Sequence, residues 1–155
     1  MESFSSITAI AVPFLRQNVD TDVIIPIQRL VGTGRTGLGP YAFERLRYLA
    51  DGSDNPEFLL NQPGYKGSQL LLADENFGCG SSREGAVWAL MGMGVRCVIA
   101  PSFGDIFFAN CFQNGLLPVR LPIAVIRQIA EETEASPGNA RTCLLYTSDA
   151  ADEGL

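Results

Sequence analysis

The stretch Asn76-Phe77-Gly78-Cys79-Gly80-Ser81-Ser82-Arg83-Glu84 concentrates the side chains of this sequence that could do chemistry. Gly78 and Gly80 let backbone approach a ligand closely, the hydroxyls of Ser81 and Ser82 can donate or accept, and Arg83 can clamp a carboxylate through two parallel hydrogen bonds. That set points to recognition of a carboxylic acid. The same residues also spell a capping box, S-x-x-E, in which Ser81 satisfies backbone donors at a helix start and Glu84 reaches back. Spacing leaves both readings open. A dinucleotide fingerprint fits worse, because Arg83 stands where the third glycine of G-x-G-x-x-G is needed for close helix–strand packing. The G-x-S-x-G frame of a nucleophile elbow is absent around Ser81. Cys79 is either a small filler between glycines or a redox-sensitive thiol.

A second polar group comes earlier in the chain. Asn18-x-Asp20-x-Asp22 opens like a calcium loop, but Val23 holds the position that needs glycine and Arg29 that of the bidentate glutamate. Two readings remain: an Asx-type turn leading into a strand, or a carboxylate that orients a neighbouring arginine or polar side chain. Farther on, Gly32, Gly34, Gly37 and Gly39 interrupt any periodicity around Arg35, so this segment reads as a mobile loop able to act as a lid.

These side chains need elements to position them. Strand patterns at 68–73, 95–100 and 116–120 alternate with helical patterns at 83–92 and 103–113, giving β-α-β-α-β. Such alternation favours a parallel sheet with right-handed crossovers, and it puts the serine loop at the carboxyl end of a strand and the start of a helix, where ligands bind in open α/β sheets. Ser102 and Asp105 offer the second helix a capping box, Asn114-Gly115 a stop, and a third helix spans 122–134 behind Pro122. The first half is less regular, with β-branched runs at 7–12 and 23–27, a weak helix at 41–49 and the turn-rich 51–56.

Composition narrows the function. With 155 residues and 46% hydrophobic content, one domain with a real core is expected. Eleven Lys and Arg against 17 Asp and Glu leave a net charge of -6, which argues against nucleic-acid and anionic-membrane partners. Histidine is absent, so any catalysis needs another base or another subunit. Cys79, Cys97, Cys111 and Cys143 match no zinc or iron–sulfur spacing and read as free thiols of a reducing cytosol. No run approaches the ~20 apolar residues of a membrane span, and Met1-Glu2-Ser3 opens no signal peptide. The expected location is cytoplasmic.

Five ordered motifs carry a resemblance. Asn18-Val19-Asp20-Thr21-Asp22-x-Ile24-Ile25-Pro26, Arg35-Thr36-Gly37, the serine loop, Val98-Ile99-Ala100-x-Ser102-Phe103-x-Asp105-Ile106-Phe107 and Asn114-Gly115-Leu116-Leu117-Pro118 resemble the small subunits of isopropylmalate dehydratases, in the aconitase family. The resemblance implies a swivelling β/β/α domain over residues 1–141 that closes on a large subunit. It implies no cofactor on this chain and a [4Fe-4S] cluster held by the large subunit's own cysteines. The implied reaction exchanges 2-isopropylmalate and 3-isopropylmalate, small hydroxy dicarboxylates, through 2-isopropylmaleate in leucine biosynthesis. A small subunit of a related dehydratase, of homoaconitate or methylmalate type, and a stand-alone carboxylate-binding module are the alternatives, the first turning on residues 31–39.

Residue by residue, Ser81 matches the family's catalytic base, and Ser82 and Arg83 match residues that bind a substrate carboxylate. Asp22 resembles the active-site acid near the N-terminus, and Arg35 a second arginine reaching the substrate. Serine is a poor base, and the helix N-terminus, nearby N–H groups and Arg83 would supply positive potential of the right sign. Two departures stand out. Gly85 replaces the family's histidine and is about 1 kcal/mol less favourable than alanine within a helix. After Arg141, residues 142–155 leave the family pattern and read as an anomalous tail, a truncation or sequencing artefact.

Overall fold

A computed structural model of the chain describes residues 6–137 and the backbone of 142–145. Short apolar runs form its centre: β2 (Ala11–Phe14), β3 (Leu70–Ala73), β4 (Cys97–Ala100) and β5 (Leu117–Arg120) pair in parallel in the order β2-β3-β4-β5. Each central strand is buried on both faces, as a parallel sheet covered by crossover helices requires. Alternate residues divide between two cores. Val12, Leu71, Ala73, Val98 and Ala100 face Ala86, Val87 and Leu90 of α3 (Glu84–Gly92) and Phe107 and Cys111 of α4 (Asp105–Asn114). Leu70, Leu72, Cys97, Ile99, Leu117 and Val119 face Ile126 and Ala130 of α5 (Ile123–Ala135). The β-α-β-α-β core thus forms where the alternation places it, and Gly115 ends α4 at φ 86°.

The first half departs from the sequence reading in three places. The run at 7–12 divides into β1 (Ser6–Ala9) and β2, because the chain changes sheets at Ile10, whose carbonyl accepts from the N–H groups of Gln69 and Leu70 at 3.3 and 3.4 Å. β1 pairs antiparallel with β6 (Thr142–Leu145), the start of the segment set apart at 142–155. The rest of that segment, 146–155, lies outside the described residues. Residues 23–27 form no strand. The Asp20 carboxylate accepts from Val23 N–H at 2.8 Å and starts a single helical turn, α1 (Thr21–Ile24), and Pro26, which lacks an N–H, leads into a 3-10 turn at Ile27–Arg29. The helix expected at 41–49 contracts to α2 (Glu44–Arg47). Phe43 precedes it at φ 55°, a strained conformation held by full burial of its ring against Phe14 and Phe58. Among the described residues no helix is long and apolar enough to cross a membrane.

Candidate active site

The serine loop leaves the carboxyl end of β3 and is fastened on two sides. On one side Phe77 N–H donates to the Ser102 carbonyl at 3.1 Å, Gly104 N–H donates to the Phe77 carbonyl at 2.9 Å, and Ser102 Oγ accepts from Asn76 N–H at 2.8 Å. Ser102 is therefore a loop tie and not the cap expected for α4, whose N-cap is Gly104 with no side-chain capping bond. The Phe77 ring is fully buried and meets Phe107 edge-on at 5.5 Å. On the other side Gly78 N–H donates to the Val19 carbonyl at 2.7 Å, Thr21 N–H to the Cys79 carbonyl at 2.9 Å, and Thr21 Oγ1 to the Ser81 carbonyl at 2.9 Å. Gly78 is required here: its φ is 78°, and a Cβ would lie 2.2 Å from the Phe107 ring.

Beyond these ties Ser81 and Ser82 emerge exposed. The capping-box reading fails. Helix α3 begins at Glu84 behind an extended Arg83 without a side-chain capping bond, and the Glu84 carboxylate accepts from Asn114 Nδ2 at 2.9 Å instead of reaching back. Among the described residues neither serine hydroxyl has a hydrogen-bond partner, so both are uncommitted.

Arg83 is brought to the N-terminal polar group. Its Nη1 donates to Asp22 Oδ1 at 3.2 Å and to the Ile25 carbonyl at 3.3 Å, and its side chain is 15% exposed. Among the described residues Nε and Nη2 make no hydrogen bond. No fully buried side-chain nitrogen or oxygen there lacks a partner, so these two donors keep some contact with solvent. Their edge is the planar pair that receives a carboxylate side-on. Asp22 thus orients an arginine, one of the two readings of its motif, while Asp20 makes the Asx-type contact. The second oxygen of Asp22 pairs with Arg45 Nη1. Hydrogen bonds from Arg45 and then Arg83 hold the Asp22 carboxyl below the usual aspartate range. In this arrangement it is a charged acceptor shared by the two arginines. Arg45 escaped the sequence reading, since no spacing marks a pairing between α1 and α2; a charge complement to Asp22 was its single signal.

Arg35 lies elsewhere. Its Nη2 donates to Asn114 Oδ1 at 2.7 Å, beside the Trp88 ring, and it reaches Arg83's neighbour Glu84 through Asn114. At Gly85 a Cβ would fall 2.4 Å from Leu30 Cδ2, so Leu30 occupies the room a larger side chain would need. The Cys79 thiol is pushed up by burial and then by the Asp20 charge, which disfavours the thiolate a redox-sensitive site requires. Cys97 and Cys111 are buried, and their thiols are pushed up strongly by desolvation. Among the described residues no three His, Cys, Asp or Glu side chains gather as a metal site.

Residues 1–124 match the aconitase C-terminal domain. The chain belongs to the aconitase C-terminal domain family. The 3-isopropylmalate dehydratase small subunit of Gluconacetobacter diazotrophicus is 52% identical over 141 residues, 91% of this chain and 68% of that protein. The small subunit of the same name from Rhodopseudomonas palustris is 52% identical over 149 residues, 96% of this chain and 74% of that protein. The crystal structure of 3-isopropylmalate dehydratase from Methanocaldococcus jannaschii aligns with a TM-score of 0.64 at 28% identity, covering 96% of this chain and 89% of that one. In this member of the aconitase C-terminal domain family, two hydroxyls and one edge of an arginine are left without a protein partner at the end of the serine loop.

Proposed function

We propose that the chain is the small subunit of a 3-isopropylmalate dehydratase, a hydro-lyase component that works in the cytoplasm with a large subunit in leucine biosynthesis. The observation that carries this reading is the open Nε and Nη2 edge of Arg83 beside the uncommitted Ser81 and Ser82 hydroxyls. A substrate carboxylate accepts from that edge in two parallel hydrogen bonds, and Ser82 donates a third. Held there, the substrate presents the carbon next to its hydroxyl-bearing carbon to Ser81, which removes the proton on dehydration and returns it on rehydration. Arg83 and the N-terminus of α3 favour the oxyanion that Ser81 must bear. Asp22 fixes the Arg83 fork from behind. Arg35 reaches a substrate only if the glycine-rich loop moves it from Asn114.

Departure of the hydroxyl belongs to the large subunit, on which the family resemblance places the [4Fe-4S] cluster. The test is anaerobic co-expression with that subunit and an ultraviolet assay of 2-isopropylmaleate hydration. Wild-type activity that collapses in Ser81→Ala, with the complex still formed, is expected. Full activity in Ser81→Ala would remove Ser81 as the base, and an intact complex inert toward 2-isopropylmaleate would remove the substrate.

A further inference from the structure

Asp22 is bonded by two arginines, and the proposed function uses one of them. Its carboxylate divides cleanly: Oδ1 takes Arg83 Nη1 at 3.2 Å, and Oδ2 takes Arg45 Nη1. Arg83 is the inner partner at 15% side-chain exposure and Arg45 the outer at 54%. Arg45 stands on the wall of a groove of about 620 Å³ that Arg29, Tyr41, Glu44 and Tyr48 also line. Within that groove Glu44, the sequence neighbour of Arg45, is already engaged, since Arg29 Nε donates to its two oxygens at 3.1 and 3.0 Å and lies over the Tyr41 ring at 4.2 Å. Arg45 is thereby left to Asp22.

The arrangement matters when a second anion arrives. A substrate carboxylate on Arg83 would share a single guanidinium with Asp22, and two anions on one cation repel. With Arg45 present there are two cations for two anions. We infer that Arg45 is a positioning residue for Arg83: it compensates the Asp22 carboxylate so that Arg83 keeps its Nη1 anchor while its open edge takes the substrate. The inference rests on the reading of Arg83 as a carboxylate binder. The charged groups facing Asp22 are Arg45 from α2 and Arg83 from the serine loop; those around Arg45 are Asp22, Glu44 and Arg29, with the Tyr41 and Tyr48 phenols.

The test uses the two-subunit complex with Arg45→Ala, Arg45→Lys and Arg83→Ala. In Arg45→Ala the KM for 2-isopropylmaleate rises about fivefold, the scale of an exposed ion pair, with kcat little changed. Its acid limb in kcat/KM moves to higher pH, because Asp22 loses the first of the two groups that depress it. Arg45→Lys restores most of both, as the charge is kept. Calorimetric binding of isopropylsuccinate, which cannot be dehydrated, reads the same loss without turnover. If Arg83→Ala weakens that binding while Arg45→Ala leaves binding, KM and the acid limb at wild-type values, the inference falls and the function stands. If wild type binds no isopropylsuccinate, or Arg83→Ala binds it as well as wild type, the underlying reading falls and this inference with it.

Discussion

The serine loop has two halves that obey different rules. From Asn76 to Cys79 the backbone is tied at every residue to Val19, Thr21, Ser102 or Gly104, and the Phe77 ring is sunk in the core. From Ser81 to Arg83 the side chains are open: two unpartnered hydroxyls and half of a guanidinium. Rigidity in one half is what allows polar groups in the other to stay uncommitted without the loop collapsing onto them. Anchored backbone and uncommitted side chains thus meet here at a single residue, Gly80.

Substitutions should respect that division. The largest effect is expected at Ser81. Ser81→Ala removes a group that caps nothing, so the thermal midpoint stays put while hydration of 2-isopropylmaleate falls about 10³-fold, worth about 4 kcal/mol in the transition state. A parallel drop in melting temperature would place Ser81 among the structural residues and erase the boundary between the two halves. Next comes Gly78→Ala, on the anchored side. A methyl group forced against the Phe107 ring at positive φ costs about 3 kcal/mol, from overpacking and backbone strain together. Urea unfolding should show that loss, and activity per folded complex should survive. Inactivity in fully folded Gly78→Ala complex would show that the halves are not separable. Arg83→Lys is third: the charge stays but the two-pronged edge goes, and KM should rise about thirtyfold, near 2 kcal/mol. An unchanged KM would mean that the open edge does not bind the carboxylate.

How far such a division could be read from sequence differs along the chain. The β3-α3-β4-α4-β5 core was legible because short continuous apolar runs alternate with longer segments that end at stops such as Asn114-Gly115. The serine loop could be singled out by its residue types, but its freedom from capping could not be read there. That depends on Arg83 taking the N-cap in an extended conformation, which leaves Ser81 outside the helix altogether. Residues 23–27 misled for a related reason: Val23, Ile24 and Ile25 have the β-branching of a strand, but the Asp20 cap and Pro26 act across the segment and favour a helical turn. Arg45 was invisible because its partner lies on another element, in a stretch whose weak helical period gave no register. Arg35 could be singled out by its glycine-rich setting, and its contact with Asn114 could not be foreseen, since that contact spans 79 residues.

The smallest expected effect tests the junction of the two halves. Thr21 is buried, and its Oγ1 holds the Ser81 carbonyl while its N–H holds the Cys79 carbonyl. Thr21→Val keeps the shape and the backbone tie to Cys79 but deletes the hydroxyl that reaches Ser81. The contact is half-buried and Ser81 itself is exposed, so the stability cost should be about 1 kcal/mol, one net hydrogen bond. The informative quantity is kcat. If the anchored half sets the position of the base through this contact, kcat falls several-fold with KM nearly unchanged, because Arg83 is held separately by Asp22 and Ile25. If kcat stays at the wild-type value while stability drops, the Thr21 contact is purely structural, and the anchored half ends at Gly80 without setting the position of Ser81.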